Sequence, residues 1–250
     1  MKTLSAFLTT LVLAAFVSGC SFVTSLKNIR TINASDTLVS EERSVSGFTA
    51  IEINTIGKLT LTQGDGESVK VSGPDNVVPL IRTRVSGGKL VIDTEDNVAF
   101  TNLNDQKMLT FEITVKDLKA VTVNGLGSVT MDGLKGAELS LTMNGAGAIR
   151  EQNMSVETLK VEINGLGSVE VSGSAQSMVV EISGAGNVEA ENLKVATAKV
   201  NVNGLGSATL YVTDRLTGEI GGAGNVNYYG SPELKTNTQG IGRFVSKGSK

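Results

Sequence analysis

The chain has no histidine and no tryptophan, one cysteine and three prolines in 250 residues, and its aromatics are only Tyr 3 and Phe 7. Without histidine, a Ser–His–Asp triad, a Cys–His pair and a His-ligated metal centre are all excluded. The scarcity of aromatics argues against a broad stacking platform for sugars. A single cysteine rules out an intramolecular disulfide. Neither sign of charge dominates: 22 Lys+Arg against 25 Asp+Glu gives −3, which lacks the basic excess that binds nucleic acid. Glycine is abundant instead, at 29 of 250 residues against a usual level of about 7%. With 40% hydrophobic and 19% charged residues, the chain can bury a core.

Residues 1–19 read as a secretory signal. Lys2 is followed by a mostly apolar run from Leu4 to Phe16 and then by Val17-Ser18-Gly19-Cys20. The run is shorter than the roughly 20 residues a spanning helix needs. Val-Ser-Gly-Cys resembles the lipobox of bacterial lipoproteins. That resemblance implies cleavage before Cys20, acylation of Cys20 and anchoring in a membrane by several acyl chains. Ser21 follows, and in Gram-negative lipoproteins a residue other than Asp there implies the outer membrane. Residues 20–42 are polar with no sustained period and are expected to be a tether.

The second half repeats. Asn124-Gly125-Leu126-Gly127 recurs as Asn144-Gly145-Ala146-Gly147, Asn164-Gly165-Leu166-Gly167, Ser183-Gly184-Ala185-Gly186, Asn203-Gly204-Leu205-Gly206, Gly221-Gly222-Ala223-Gly224 and Gln239-Gly240-Ile241-Gly242. The steps are 18 to 20 residues. Alternating runs such as Leu139, Leu141, Met143 and Leu159, Val161, Ile163 precede the corners, which is the period of a half-buried strand. Polar turns such as Gly133-Leu134-Lys135-Gly136 are expected to separate the rungs. One short β unit repeated many times predicts an all-β parallel β-helix with rungs of about 20 residues, stacked about 4.8 Å apart.

Several details follow from stacking. Asn and Gly tolerate left-handed backbone, the expected reason for their place at the corners. Stacked Asn124, Asn144 and Asn164 are expected to form an amide ladder. The residue between the glycines alternates large and small, which predicts a filled, interleaved column. Val129, Ile149, Val169, Val188, Ala208, Val226 and Phe244 are assigned to the core.

Residues 43–117 are less regular than 118–246 and are expected to be capping rungs of the same domain, which spans 43–250. Strands are expected at Arg43–Val45, Ala50–Ile53, Lys58–Leu61, Val69–Val71, Lys89–Ile92 and Thr110–Ile113. One short helix is expected between Pro74 and Val85, and Asn54-Thr55-Ile56-Gly57 reads as a degenerate corner.

Gly47-Phe48-Thr49-Ala50-Ile51-Glu52-Ile53, Leu59-Thr60-Leu61-Thr62-Gln63-Gly64-Asp65, the serial corners and Asn227-Tyr228-Tyr229-Gly230-Ser231-Pro232 together resemble the auto-transporter adhesin "head GIN" domain family. The resemblance covers about 43–246. It implies a right-handed β-helix on a secreted or lipid-anchored bacterial protein, and it brings no established catalytic residues.

Three chemistries are weighed. Gly221-Gly222-Ala223-Gly224-Asn225-Val226 imitates a calcium-binding nonapeptide, but Val226 stands where the Asp ligand belongs, so the tight-turn reading is preferred. No corner completes a nucleotide-binding G-x-G-x-x-G. Glycan cleavage by paired carboxylates would draw on Glu162 with Glu181, or Glu170 with Glu189, which fall in register on neighbouring rungs. A solvated face, diluted by Lys160 and Arg150, is the blander reading of the same residues. The expectation is a lipid-anchored envelope protein, non-enzymatic, without metal or cofactor. It would present a β-helix for adhesion or binding of polysaccharide or protein, with those four glutamates as candidate binding faces. A glycan-active enzyme and a purely structural envelope component are the alternatives.

Overall fold

A computed structural model describes residues 29–250. The signal and Cys20 lie outside the described residues. From Leu126 onward the strands run between successive Gly-x-Gly corners, either unbroken or divided in two by a turn. These strands are β11 (Leu126–Asp132), β12 (Lys135–Met143), β13 (Ala146–Ile163), β14 (Leu166–Ile182), β15 (Ala185–Val202), β16 (Leu205–Ile220), β17 (Ala223–Tyr229), β18 (Glu233–Thr238) and β19 (Ile241–Ser246). All pair in parallel, each with the segment one rung on. The architecture is therefore the expected parallel β-helix. The expected polar turn between rungs is present at Gly133, which has φ +70. Higher up, the strand continues through the bend as a β-bulge, with register shifts between Glu151 and Met154 and between Glu170 and Ser172.

Period-two patterning builds the core. Leu141, Val161, Val180 and Val200 stack in one inward column, each 0% exposed. The column after the corner, Val129 to Val226, is at most 1% exposed, while Phe244 on the last rung is only partly buried. Each fully buried valine, leucine or isoleucine among them contributes about 1.5–3 kcal/mol.

The N-terminal part departs from a simple winding. β3 (Ala50–Ile53) and β4 (Gly57–Gln63) make a rung directly beneath β10 (Ala120–Val123) and β11. The chain between them returns to the level below, where β7 (Lys89–Thr94) pairs with β3 and β9 (Thr110–Val115) with β4. β6 (Ile81–Ser86) then closes on β7, and β5 (Ser68–Pro74) on β9, both antiparallel. Antiparallel strands let this end turn back on itself and cover the core.

Sequence expectation is corrected at four places here. Arg30–Asn33 (β1) and Leu38–Glu42 (β2), expected within the tether, are strands: β1 pairs with β8 (Val98–Thr101) and β2 with β5, and Ala34 is buried. Arg43–Val45 is not a strand, because Val45 N–H turns back to the Arg43 carbonyl. The expected helix is a single 3-10 turn, Val78–Leu80. β6 follows it and was not expected, its Arg82 and Arg84 both pairing with the buried Asp93.

Candidate functional site

The corners stack as expected, and Asn54-Thr55-Ile56-Gly57 lies under the first of them. Asn124 Nδ2 donates to Asn54 Oδ1 at 2.6 Å, Asn144 to Asn124 at 2.8 Å, and Asn164 to Asn144 at 2.9 Å. The amide ladder thus starts one rung lower than expected, and Ser183 ends it. The reason for the glycines differs from the expected one. Of Gly125, Gly127, Gly145, Gly147, Gly165, Gly167, Gly204 and Gly206, only Gly147 has a positive φ, and the corner asparagines have none. Space is the constraint. A Cβ on Gly165 would lie 2.7 Å from the Asn144 carbonyl carbon and closer still to the Gly145 oxygen, and the other corners repeat this clash.

The residue between the glycines does not fill a column. Leu126, Leu166, Leu205 and Ile241 are 57%, 63%, 65% and 84% exposed. Both glycines press against the rung below, so the side chain between them is turned outward.

The four candidate glutamates fall on two different faces. Glu162 and Glu181 are register partners before the corner, in an outward column with Thr122, Thr142, Asn201 and Glu219. Lys160 Nζ lies 2.6 Å from Glu162 Oε1, and that hydrogen bond raises the lysine's pKa. At the foot of the same column, the Lys89 ammonium holds the Glu52 carboxyl below the usual carboxylate range. This face is a mixed-charge surface.

Glu170 and Glu189 are register partners after the corner, in a column running Thr130, Arg150, Glu170, Glu189, Thr209 and Asn227. Arg150 Nε donates to Glu170 Oε2 at 2.9 Å. Where this face meets the bulge, a small hollow of about 110 Å³ is lined by Glu170 and Glu189 together with Glu151, Glu191, Ser172 and Asn192. Lys250 Nζ closes on Asn192 Oδ1 at 2.6 Å and lies 5.4 Å from the centre of the Tyr229 ring. Among the described residues, no three acidic or cysteine side chains are placed to hold a metal ion.

Glu151 was missed by sequence reasoning. It occupies an inward column between Met131 below and Val171 above, and is 1% exposed. Its Oε1 accepts the Leu134 N–H at 3.0 Å, while Oε2 is buried without a partner. Burial pushes its pKa up to about 7, and Asp132 adds to the rise while the Leu134 and Met154 N–H groups oppose it. The signal was present: Glu151 lies two residues past the core residue Ile149, so strand alternation points it inward.

The model of the family described as "Putative auto-transporter adhesin, head GIN domain" matches residues 47–232. A crystal structure of a "putative adhesin" from Bacteroides fragilis has a TM-score of 0.82 at 27% identity, covering 86% of this chain and 99% of that one. A "putative lipid binding protein" from Parabacteroides distasonis has a TM-score of 0.68 at 18% identity, covering 87% and 99%. A "putative adhesin" from Parabacteroides merdae has a TM-score of 0.65 at 18% identity, covering 86% and 98%. At 18% identity the last two share the fold. Comparison with curated proteins finds no match.

Proposed function

Since the chain belongs to the auto-transporter adhesin head GIN family, we propose that it is a non-catalytic binding scaffold of the bacterial envelope, tethered to the outer membrane through an acylated Cys20. The observation that carries the reading is the ladder Arg150–Glu170–Glu189, whose side chains repeat at the strand spacing beside a small acidic hollow. A rigid row with a period of about 4.8 Å suits an extended polymer or a flat protein surface. The ligand is taken to be an envelope or extracellular polysaccharide or protein with cationic groups. The family description and the Bacteroides fragilis relative support adhesion over chemistry.

One observation favours a second reading. Glu170 and Glu189 are register partners on adjacent strands, whose spacing of about 4.8 Å is close to the ~5–5.5 Å carboxyl separation of retaining glycosidases. Arg150 Nε lies 2.9 Å from Glu170 Oε2, so one carboxyl of the pair is already engaged by an ion pair rather than aimed at a ligand.

A single set of variants tests the proposal. Cell fractionation is expected to place the wild-type chain in the membrane and Cys20→Ser in the soluble fraction; a soluble wild type would refute the anchor. The chain from Ser21 is then screened against glycans and envelope proteins. Glu170→Gln with Glu189→Gln is expected to weaken the best ligand at least tenfold, or about 1.4 kcal/mol. Undiminished binding would remove this face from the account, and turnover of a glycan by the wild type would replace the scaffold with an enzyme.

A further inference from the structure

The most unusual surface on the molecule is the ridge of side chains held out between the corner glycines. It runs Leu126, Ala146, Leu166, Ala185, Leu205, Ala223, Ile241, with consecutive members in register on consecutive rungs. The ridge is about 29 Å long at ~4.8 Å per rung. Large side chains stand on every second rung, with alanine between them. The flanks carry no charge over most of this length. On one side lie Asn124, Asn144, Asn164, Ser183 and Asn203; on the other lie Ser128, Ala148, Ser168, Asn187, Ser207 and Asn225, before Arg243 on the last rung.

A knob every second rung is its own complement after a shift of one rung. Two copies meeting ridge to ridge with parallel axes would set leucine on leucine. With antiparallel axes, related by a two-fold between the Ala185 and Leu205 rungs, every knob meets a gap. Leu205 then sits on Ala185 of the second copy, Leu166 on Ala223 and Ile241 on Ala146. The rung spacing is identical in both copies, so the match persists along the whole contact. The neutral flanks bring no like charges together, and Arg243 faces Ala148. Leu126 falls outside the contact. It already lines an apolar groove of about 390 Å³ with Met108 and Ile56 at the foot of the ridge. Such a contact would cover roughly 500 Å² of each copy, or about 1,000 Å² in all, which reaches the lower limit for a specific interface.

We infer that this ridge is a self-association surface, on which a second copy of the chain docks antiparallel with leucine knobs set into alanine gaps. The interface is isologous, as a two-fold requires, and leaves both glutamate faces open.

Engineered disulfides in the full-length chain test it. Leu166→Cys with Ala223→Cys places thiols three rungs apart within one chain, about 14 Å, beyond the ~7 Å reach of a disulfide. Across the proposed two-fold they face one another. Leu126→Cys with Ala185→Cys has the same internal spacing but the wrong register. Mild oxidation in the envelope is expected to give at least tenfold more covalent dimer from the first pair than from the second or from the wild type, which controls for Cys20. Equal yields, or dimer from neither pair, would overturn the proposal. Sedimentation keeps it testable if a cysteine pair misfolds: the wild type is expected to dimerise at tens of micromolar and Leu205→Glu to stay monomeric, and a monomeric wild type would overturn it too.

Discussion

Replacing Gly165 by alanine is expected to cost at least about 4 kcal/mol, against about ±0.5 kcal/mol for Gly136→Ala. Both glycines lie in the repeat region. A Cβ at Gly136 meets nothing within 4 Å, whereas at Gly165 it runs into the carbonyl groups of Asn144 and Gly145. Those groups cannot yield independently. The Gly165 N–H already donates to Met143 O at 3.1 Å, and Leu166 N–H to Gly145 O at 3.0 Å. Relief would require prising two rungs apart and breaking the bonds on both sides of the corner. Helix or strand propensity would move the two variants by similar small amounts, so the contrast isolates the clash. Urea denaturation followed by far-ultraviolet circular dichroism reads the difference. Equal midpoints would mean the corners are not stacked backbone on backbone.

Glu151→Gln is expected to stabilise the protein at pH 8 by up to about 3 kcal/mol while changing little at pH 4. The carboxyl titrates near the ordinary 4.5 when unfolded, and burial pushes it up to about 7 when folded. Between these values the folded state binds more protons than the unfolded state, so stability falls as pH rises. The contribution of the neutral carboxyl is fully present below about 4.5 and is lost as pH passes through about 7. A shift of this size corresponds to about 3 kcal/mol. Glutamine keeps an oxygen for the Leu134 N–H and cannot ionise, so the slope between pH 5 and 7 should flatten in the variant. Glu151→Met fits the apolar column but leaves the Leu134 N–H unpaired, and is expected to cost about 1–3 kcal/mol at pH 4. Denaturant midpoints across pH 4–8 for all three proteins decide the matter; parallel profiles for wild type and Glu151→Gln would show that the carboxyl is not buried.

The repetitive half of the molecule was legible because one unit is written many times. Period-two apolar residues fixed which side chains face inward, and the recurrence of Gly-x-Gly fixed the stacking edge. The same signals misled about the corners themselves. Glycine was read as a need for left-handed backbone, but what decides is the approach of the rung below, which no local pattern displays. Leu126 and its equivalents were read as space-filling because an apolar residue at a fixed repeat position usually faces the core. Turning them outward follows only once both neighbouring glycines are known to press against the adjacent rung. The N-terminal part was harder for another reason. The strand above β3 is β10, some 70 residues away, and the strands that cover the end are antiparallel, so neither repeat nor spacing announces them. Of the candidate site, the register pairs Glu162–Glu181 and Glu170–Glu189 were readable, whereas Glu151 and Glu191 depend on where the bulges fall.

The stacking of the rungs is tested most directly by spin-label distances in a Cys20→Ser background. One label is placed at Thr122→Cys and the second at Asn201→Cys, Glu219→Cys or Asn237→Cys, all in one outward column. These partners lie four, five and six rungs above Thr122, so separations near 19, 24 and 29 Å are expected, rising by about 4.8 Å each time. Distances that do not climb in equal steps along the column would contradict the parallel solenoid, and with it the ladders and the ridge that depend on it.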